Sequence, residues 1–181
     1  MEANNDRLDG PRVVLLPLAQ DHAEAVRAIQ ATPEVSARWP DDEGFPLHDE
    51  PDATRFVVML RDPAAPDGVA PLPRGLVQYG EEETPDYRHA SIDVFLDPRL
   101  HGHGYGREVV AVVAAHLIDD RHHHRITIDP AADNAAAIAC YAAVGFRPVG
   151  VMRQYERGPD GRFHDGLLMD LIADELIRPQ P

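Results

Sequence analysis

Short runs of alternating apolar and polar positions, separated by proline and glycine, fill much of this chain. Val13 to Leu18 is apolar, is marked off by prolines and reads as a first strand; Phe56 to Leu60 and Gly75 to Tyr79 read as further strands. Ala90 to Leu96 alternates, with Ile92, Val94 and Leu96 on one face and Ser91, Asp93 and Phe95 on the other. Arg125 to Asp129 is a short strand, and Arg147 to Tyr155 and Phe163 to Leu171 form a hairpin around a turn at Gly158 to Gly161. Helical spacing replaces alternation in three places. Asp21 to Ala31 carries Ala23, Val26, Ile29 and Gln30 on one face and ends at Pro33, with a short helical segment from Glu34 to Arg38 beyond it. Arg107 to Asp119 presents Val109, Val112, Val113, His116 and Leu117 as one stripe, which predicts a helix packed on a sheet. Asn134 to Val144 is an alanine-rich helix stopped by Gly145.

The segments between these elements are polar. Trp39 to Asp52 is acidic and proline-rich and predicts a surface loop or lid; Asp62 to Pro73 predicts a long variable connection. Glu81, Glu82 and Glu83 open an acidic turn closed by Pro85. There is no internal repeat. Strands mixed with helices predict a single α/β (α+β) domain over residues 12–177, between a disordered lead-in (1–11) and a short tail (178–181).

Composition narrows the partners. The chain has 181 residues, long enough for one domain with a full core, and a formal net charge of −14. That charge argues against nucleic acid or an anionic membrane and suits a small cationic substrate, although an acidic surface also serves solubility alone. One cysteine, Cys140, excludes an internal disulfide and a cysteine-based zinc cage. The polar N-terminus has no apolar core of a signal peptide, and no apolar run is long enough to span a membrane, so the expected location is cytoplasmic.

The chemistry concentrates at His101-Gly102-His103-Gly104-Tyr105-Gly106, between a strand and a helix start. Glycines allow close approach and positive φ, and the first helical turn offers unpaired N–H groups with partial positive charge. Such a bend cradles a phosphate. It lacks the Gly-Lys-Ser/Thr ending of a P-loop, and plain turns use the same glycines.

Downstream lie Asp129-Pro130-Ala131-Ala132-Asp133-Asn134, Ala137-Ile138, Tyr141 and Gly145-Phe146. The glycine bend and this segment together resemble the GNAT superfamily of acyl-CoA-dependent N-acetyltransferases. Gly104 and Gly106 match that family's pyrophosphate loop, with His101 standing where Arg or Gln is usual. Within the superfamily, Ser91-Ile92-Asp93, Asp129-Pro130, Asn134 and Ala139 to Phe146 most resemble the aminoglycoside 6′-N-acetyltransferases. The resemblance implies a central, mixed, mostly antiparallel sheet of about six to seven strands flanked by helices. It implies acetyl-CoA as cofactor and an antibiotic-resistance acetyltransferase whose acceptor is the 6′-amine of an aminoglycoside. Homodimers are common among such proteins. It assigns Val94, Phe95, Leu96, His101, Gly102, His103, Gly104, Tyr105, Gly106, Arg107, Asn134, Ala137 and Tyr141 to the cofactor. Trp39, Asp41, Asp42, Glu81, Glu82, Asp93 and Asp129 would hold the cation.

The residues fit direct transfer. An ammonium must lose a proton before attacking a thioester, and Asp93 or Asp129 can bind it or take the proton. Tyr141 can protonate the leaving thiolate, and a backbone N–H near Val94 or Phe95 can polarise the carbonyl. Asn134 and Tyr141, seven apart, share a helix face. Each has a plainer alternative: Asp93 as a solvated strand residue, Asp129 as a turn cap, Tyr141 as core, Asn134 as a helix cap, Trp39 as a core anchor rather than a sugar platform. Cys140, on an apolar helix, reads as an inert thiol. The run His122-His123-His124 reads as a solvated loop, so no metal is expected. Acceptors of other chemistry, a protein N-terminus or a polyamine, and a non-catalytic acyl-CoA-binding module are the competing readings.

Overall fold

The alternating runs assemble into one sheet of eight strands. The structure, a computed structural model, describes residues 7–39, 44–48, 53–61 and 72–178. The strands are β1 (Leu8–Asp9), β2 (Val13–Pro17), β3 (Ala53–Leu60), β4 (Gly75–Glu82), β5 (His89–Leu96), β6 (Arg125–Ile128), β7 (Arg147–Arg157) and β8 (Phe163–Ile172). The helices are α1 (Ala23–Gln30), α2 (Pro33–Ser36), α3 (Tyr105–Asp119) and α4 (Ala135–Ala142). The sheet order is β1-β2-β3-β4-β5-β6-β8-β7, antiparallel except for the parallel pair β5 and β6.

The mixed, mostly antiparallel sheet is the one expected, with one strand more. Leu8–Asp9, inside the expected disordered lead-in, pairs with Leu15 and Val14. The expected acidic turn also moves. Glu81 and Glu82 lie on β4, opposite Ala90 and His89, because the ladder between β4 and β5 runs through them.

Strict alternation sends side chains to both faces, and both faces are covered. Leu15, Phe56, Val58, Val77, Ile92 and Leu96 pack with the α3 residues Val109, Val113 and Leu117. Val14, Val57, Met59, Leu76 and Phe95 pack on the other face with Val26 and Ile29 of α1 and Val35 of α2. Burying each such side chain contributes about 1.5–3 kcal/mol. Trp39 belongs to this second core. Its ring meets Phe95 edge-on at 4.9 Å between centroids and lies 5.9 Å from Phe45, so the half-buried ring is anchored in this core.

One irregularity matters for function. The parallel pairing of β5 with β6 consists of Ala90 with Ile126 and Ser91 with Thr127. β5 continues to Leu96 paired with β4, while β6 turns to β8, so the two strands part and leave a cleft beyond Ser91. No helix among the described residues is long and apolar enough to cross a membrane.

Candidate active site

The glycine bend sits where β5 hands over to α3. Gly102 and Gly104 have φ of +76° and +80°, which only glycine adopts without strain, and Gly104 is the N-cap of α3. The helix therefore starts at Tyr105, two residues before its expected start at Arg107. The N–H groups of Tyr105, Gly106 and Arg107 have no partner within the helix and point toward the bend. A Cβ on Gly102 would meet no neighbouring atom, whereas one on Gly106 would lie 3.4 Å from Cys140 Sγ, so Gly106 is the point of close approach between α3 and α4.

The bend is braced from outside the expected site. Glu108, buried in the first turn of α3, accepts hydrogen bonds from the Val13 N–H at 3.0 Å and from Arg12 Nε at 2.8 Å. Arg12 in turn donates to the His103 carbonyl at 3.1 Å and stacks over the Tyr105 ring. Upstream, Asp97 caps a 3-10 turn by accepting from the Arg99 N–H at 3.0 Å. Hydrogen bonds from Arg99 hold its carboxyl below the usual range despite burial. His101 lies 3.2 Å from the Leu96 carbonyl through Nε2 and so folds back on the bend. The only sequence signs of this bracing were a carboxylate inside an otherwise apolar helical run and an Asp-Pro pair after a strand.

Val94, Phe95 and Leu96 line the β5 edge of the cleft. Phe95 faces the α1 and α2 side, and Leu96 faces α3. Asn134 caps α4, its Oδ1 accepting from the Ala137 N–H at 3.2 Å, so that oxygen is engaged. Tyr141 is buried on α4 against Phe146. Burial, and then the charges of Asp93 and Asp129 among its neighbours, push its phenol well above the usual value, so it stays protonated. Cys140 is likewise pushed up by burial to about 11, as expected of an inert thiol.

Asp93 follows the alternation of β5 to the face opposite Ile92 and Leu96, and its Oδ2 lies 3.4 Å from Gln78 Nε2. Asp129 directly follows β6, and burial raises its carboxyl above the usual value, opposed by a hydrogen bond from the Tyr155 hydroxyl. That bond and burial raise Tyr155 to about 12. Tyr155, absent from the expected site, reaches Asp129 through a bulge. Between Met152 and Glu156 β7 carries extra residues against β8, with Gln154 at φ +50° and its N–H on Asp165 at 2.8 Å. Glu156, raised by burial and by Asp129, lies beside them. Asp93, Asp129, Tyr141 and Tyr155 are thus brought together around the cleft from four elements.

Glu81 and Glu82 are not brought there. Glu81 accepts from Arg121 at 2.9 Å and from His123 at 2.7 Å. These bonds outweigh its burial and hold its carboxyl below the usual range, so it neutralises an internal cluster and is not part of an acidic trough. His123, expected in a solvated loop, is buried as part of that cluster. Glu82 is exposed and accepts from the Thr84 N–H at 2.8 Å. Asp41 and Asp42 lie outside the described residues. Among the described residues no cluster of three His, Cys, Asp or Glu is arranged to hold a metal. A hollow next to Asp129 is lined by Ala37, Arg38, Ala131, Glu156, Arg157 and His164, among others.

A sheet split between two parallel strands, with a glycine bend and helix N-terminus at the mouth of the split, defines an acyl-CoA-dependent acetyltransferase fold. The family model described as Acetyltransferase (GNAT) domain matches residues 12–147, and this chain belongs to that family. The N-alpha-acetyltransferase RimI of Mycobacterium tuberculosis is 32% identical over 74 residues, covering 41% of this chain and 44% of that protein. The chain thus spans less than half the length of the curated relative it matches. Mycobacterium smegmatis RimJ, solved with CoA-disulfide, superposes with a TM-score of 0.78 at 23% identity, over 97% of this chain and 91% of that one. The Vibrio fischeri ribosomal-protein-S5-alanine acetyltransferase gives 0.75 at 18% identity, over 95% and 99%. The Vibrio cholerae spermidine N-acetyltransferase, solved with CoA and spermine, gives 0.71 at 17%, over 91% and 97%. These three likenesses speak to the fold. What the comparisons show of this chain is the GNAT acetyltransferase domain; an aminoglycoside acceptor finds no support in these relatives.

Proposed function

We propose that this enzyme acetylates the α-amine at the N-terminus of a protein or peptide. The carrying observation is the mixed charge of the hollow beside Asp129. Arg38 and Arg157 line it together with Glu156. Arg38 is already paired with Asp133 at 2.6 Å, so the hollow alternates charge and lacks the continuous acidic surface that a polyamine or an aminoglycoside needs, while a peptide presents a single ammonium followed by neutral amides and carbonyls. The loss of Glu81 to an internal cluster further weakens the case for a polycation. The RimI match, over the part of the chain it covers, points the same way.

In this reading the bend from His101 to Gly104 and the first-turn N–H groups of α3 hold the diphosphate of acetyl-CoA. The β5 edge at Val94 to Leu96 takes the arm, and Arg107 and the amide nitrogen of Asn134 flank it. Bound acetyl-CoA supplies the activated acyl group. Asp93 attracts the acceptor's ammonium and takes up its proton, directly or through water, and Asp129 shares the binding. A β5 N–H near Val94 or Phe95 donates to the developing oxyanion. Tyr141 holds a proton ready for the departing sulfur.

The deciding experiment measures CoA release on a panel of an alanine-starting peptide, spermidine and kanamycin. The peptide is expected to give a kcat/KM at least about tenfold above the others. Higher turnover on spermidine or kanamycin than on any peptide would overturn the acceptor assignment while leaving the family intact.

A further inference from the structure

Three polar residues cross the sheet in one row. Arg55 on β3 stands directly opposite Gln78 on β4, and Gln78 directly opposite Asp93 on β5. All three share the face that carries Val57, Leu76 and Phe95, in the second core. Arg55 is tied down by its surroundings. Its Nη1 donates to the carbonyls of Pro46 and His48, both at 2.9 Å, and its Nη2 lies 3.1 Å from His48 Nε2. Its Nε donates to Gln78 Oε1 at 2.9 Å.

A guanidinium can only donate, so the carbonyl end of the Gln78 amide must face Arg55. The –NH2 end is then left to face Asp93, at 3.4 Å from Oδ2. We propose that Gln78, its amide direction imposed by Arg55, is a positioning residue for Asp93. The proposal rests on the reading of Asp93 as the group that handles the acceptor's proton. A neutral donor steadies the carboxylate and favours its ionised form without competing with the incoming ammonium, as a Lys or Arg at this position would. The 44–48 segment, through Arg55 and Gln78, is thereby connected to the acceptor's side of the cleft. Among the described residues, the groups near Asp93 include Gln78 beside it in the row, with Arg55 beyond Gln78, Tyr141 on α4 and Tyr155 on β7, with Asp129 behind the Tyr155 hydroxyl.

The test compares Gln78→Glu, Gln78→Leu and Asp93→Asn by kcat/KM against pH, using the most active acceptor of the panel above, with CoA affinity and Tm as controls. Gln78→Glu retains the contact to Arg55 but sets a carboxylate against a carboxylate. Asp93 then keeps its proton to higher pH, and the acidic limb moves up by about half a pH unit or more. Gln78→Leu is expected to lower kcat about fivefold with CoA affinity unchanged. If Asp93→Asn lowers kcat while Gln78→Glu leaves the limb where it was, Gln78 is only structural and the proposal falls. If Asp93→Asn matches the wild-type profile, the reading of Asp93 falls and the proposal with it. Should Gln78→Glu not fold, Gln78→Leu decides alone, and wild-type kcat in that variant overturns the proposal.

Discussion

Asp93 and Tyr141 reach the cleft from opposite faces of the sheet. Asp93 shares the face of Phe95, in the core under α1 and α2, while Tyr141 is buried with the α3 side. In the proposed function, the split between β5 and β6 is what brings both to one ligand. The phenol is held protonated well above neutral pH by burial. Tyr141→Phe is therefore expected to leave CoA affinity within about twofold by calorimetry and to lower kcat by about 10²-fold. Wild-type turnover in that variant would remove the tyrosine from the chemistry. A non-catalytic acyl-CoA-binding module needs neither group, so a measurable fall also separates an enzyme from a binder.

Among elements, the glycines of the strand–helix junction and of the helix stop have different duties. Gly104 starts α3 in left-handed conformation, and a Cβ there would come no closer than 3.4 Å to another atom, at Arg12 Nη2. Gly104→Ala should cost about 1–2 kcal/mol in backbone strain and lower CoA affinity by moving the first-turn N–H groups. Gly145, three residues past the end of α4, has φ +116°, and a Cβ there would sit 2.3 Å from the Glu175 carbonyl oxygen. Gly145→Ala should cost about 2–4 kcal/mol through strain and overlap together. Thermal melts and CoA titrations of the two variants tell the roles apart, because the first should lose proportionally more binding and the second more Tm.

At the scale of the whole molecule, several carboxylates are held below their ordinary values by arginine partners. Glu81 is held by Arg121 and His123 against its burial, Asp97 by Arg99, and Asp119 by Arg178. A lowered folded-state value means the stabilisation is fully present above the unfolded value, 4.5 for Glu and 3.8 for Asp, and is lost as pH falls toward the folded values. These pairs should therefore make stability fall as pH drops below about 4.5, partly offset by the raised carboxyls of Asp129 and Glu156. Glu81→Gln should flatten part of that fall and lower Tm at pH 7, since it removes the carboxylate that pairs with Arg121 and hydrogen-bonds buried His123. Denaturant midpoints from pH 7 to pH 3 check both.

The chain's own pattern determined most of the elements, the mixed α/β class and the glycine bend, and the family resemblance added the sheet's mixed character. Alternation and helical spacing report which residues are buried, and φ-permissive residues mark where the chain turns. Asp93, Asp129 and Tyr141 were legible as candidates through the family resemblance and because each stands out chemically within its own segment. What tertiary structure alone decided is which of these side chains meet. Glu81 looked like part of an acidic surface until Arg121 and His123, some forty residues on, took its carboxylate. Tyr155 has nothing in its local sequence that aims it at Asp129; a bulge set by the partner strand does that. Gln78 and Arg55 look like ordinary strand residues, and only the registers of two ladders align them with Asp93. Local sequence encodes what a segment becomes, whereas pairing between segments distant along the chain is settled by the summed packing of the fold.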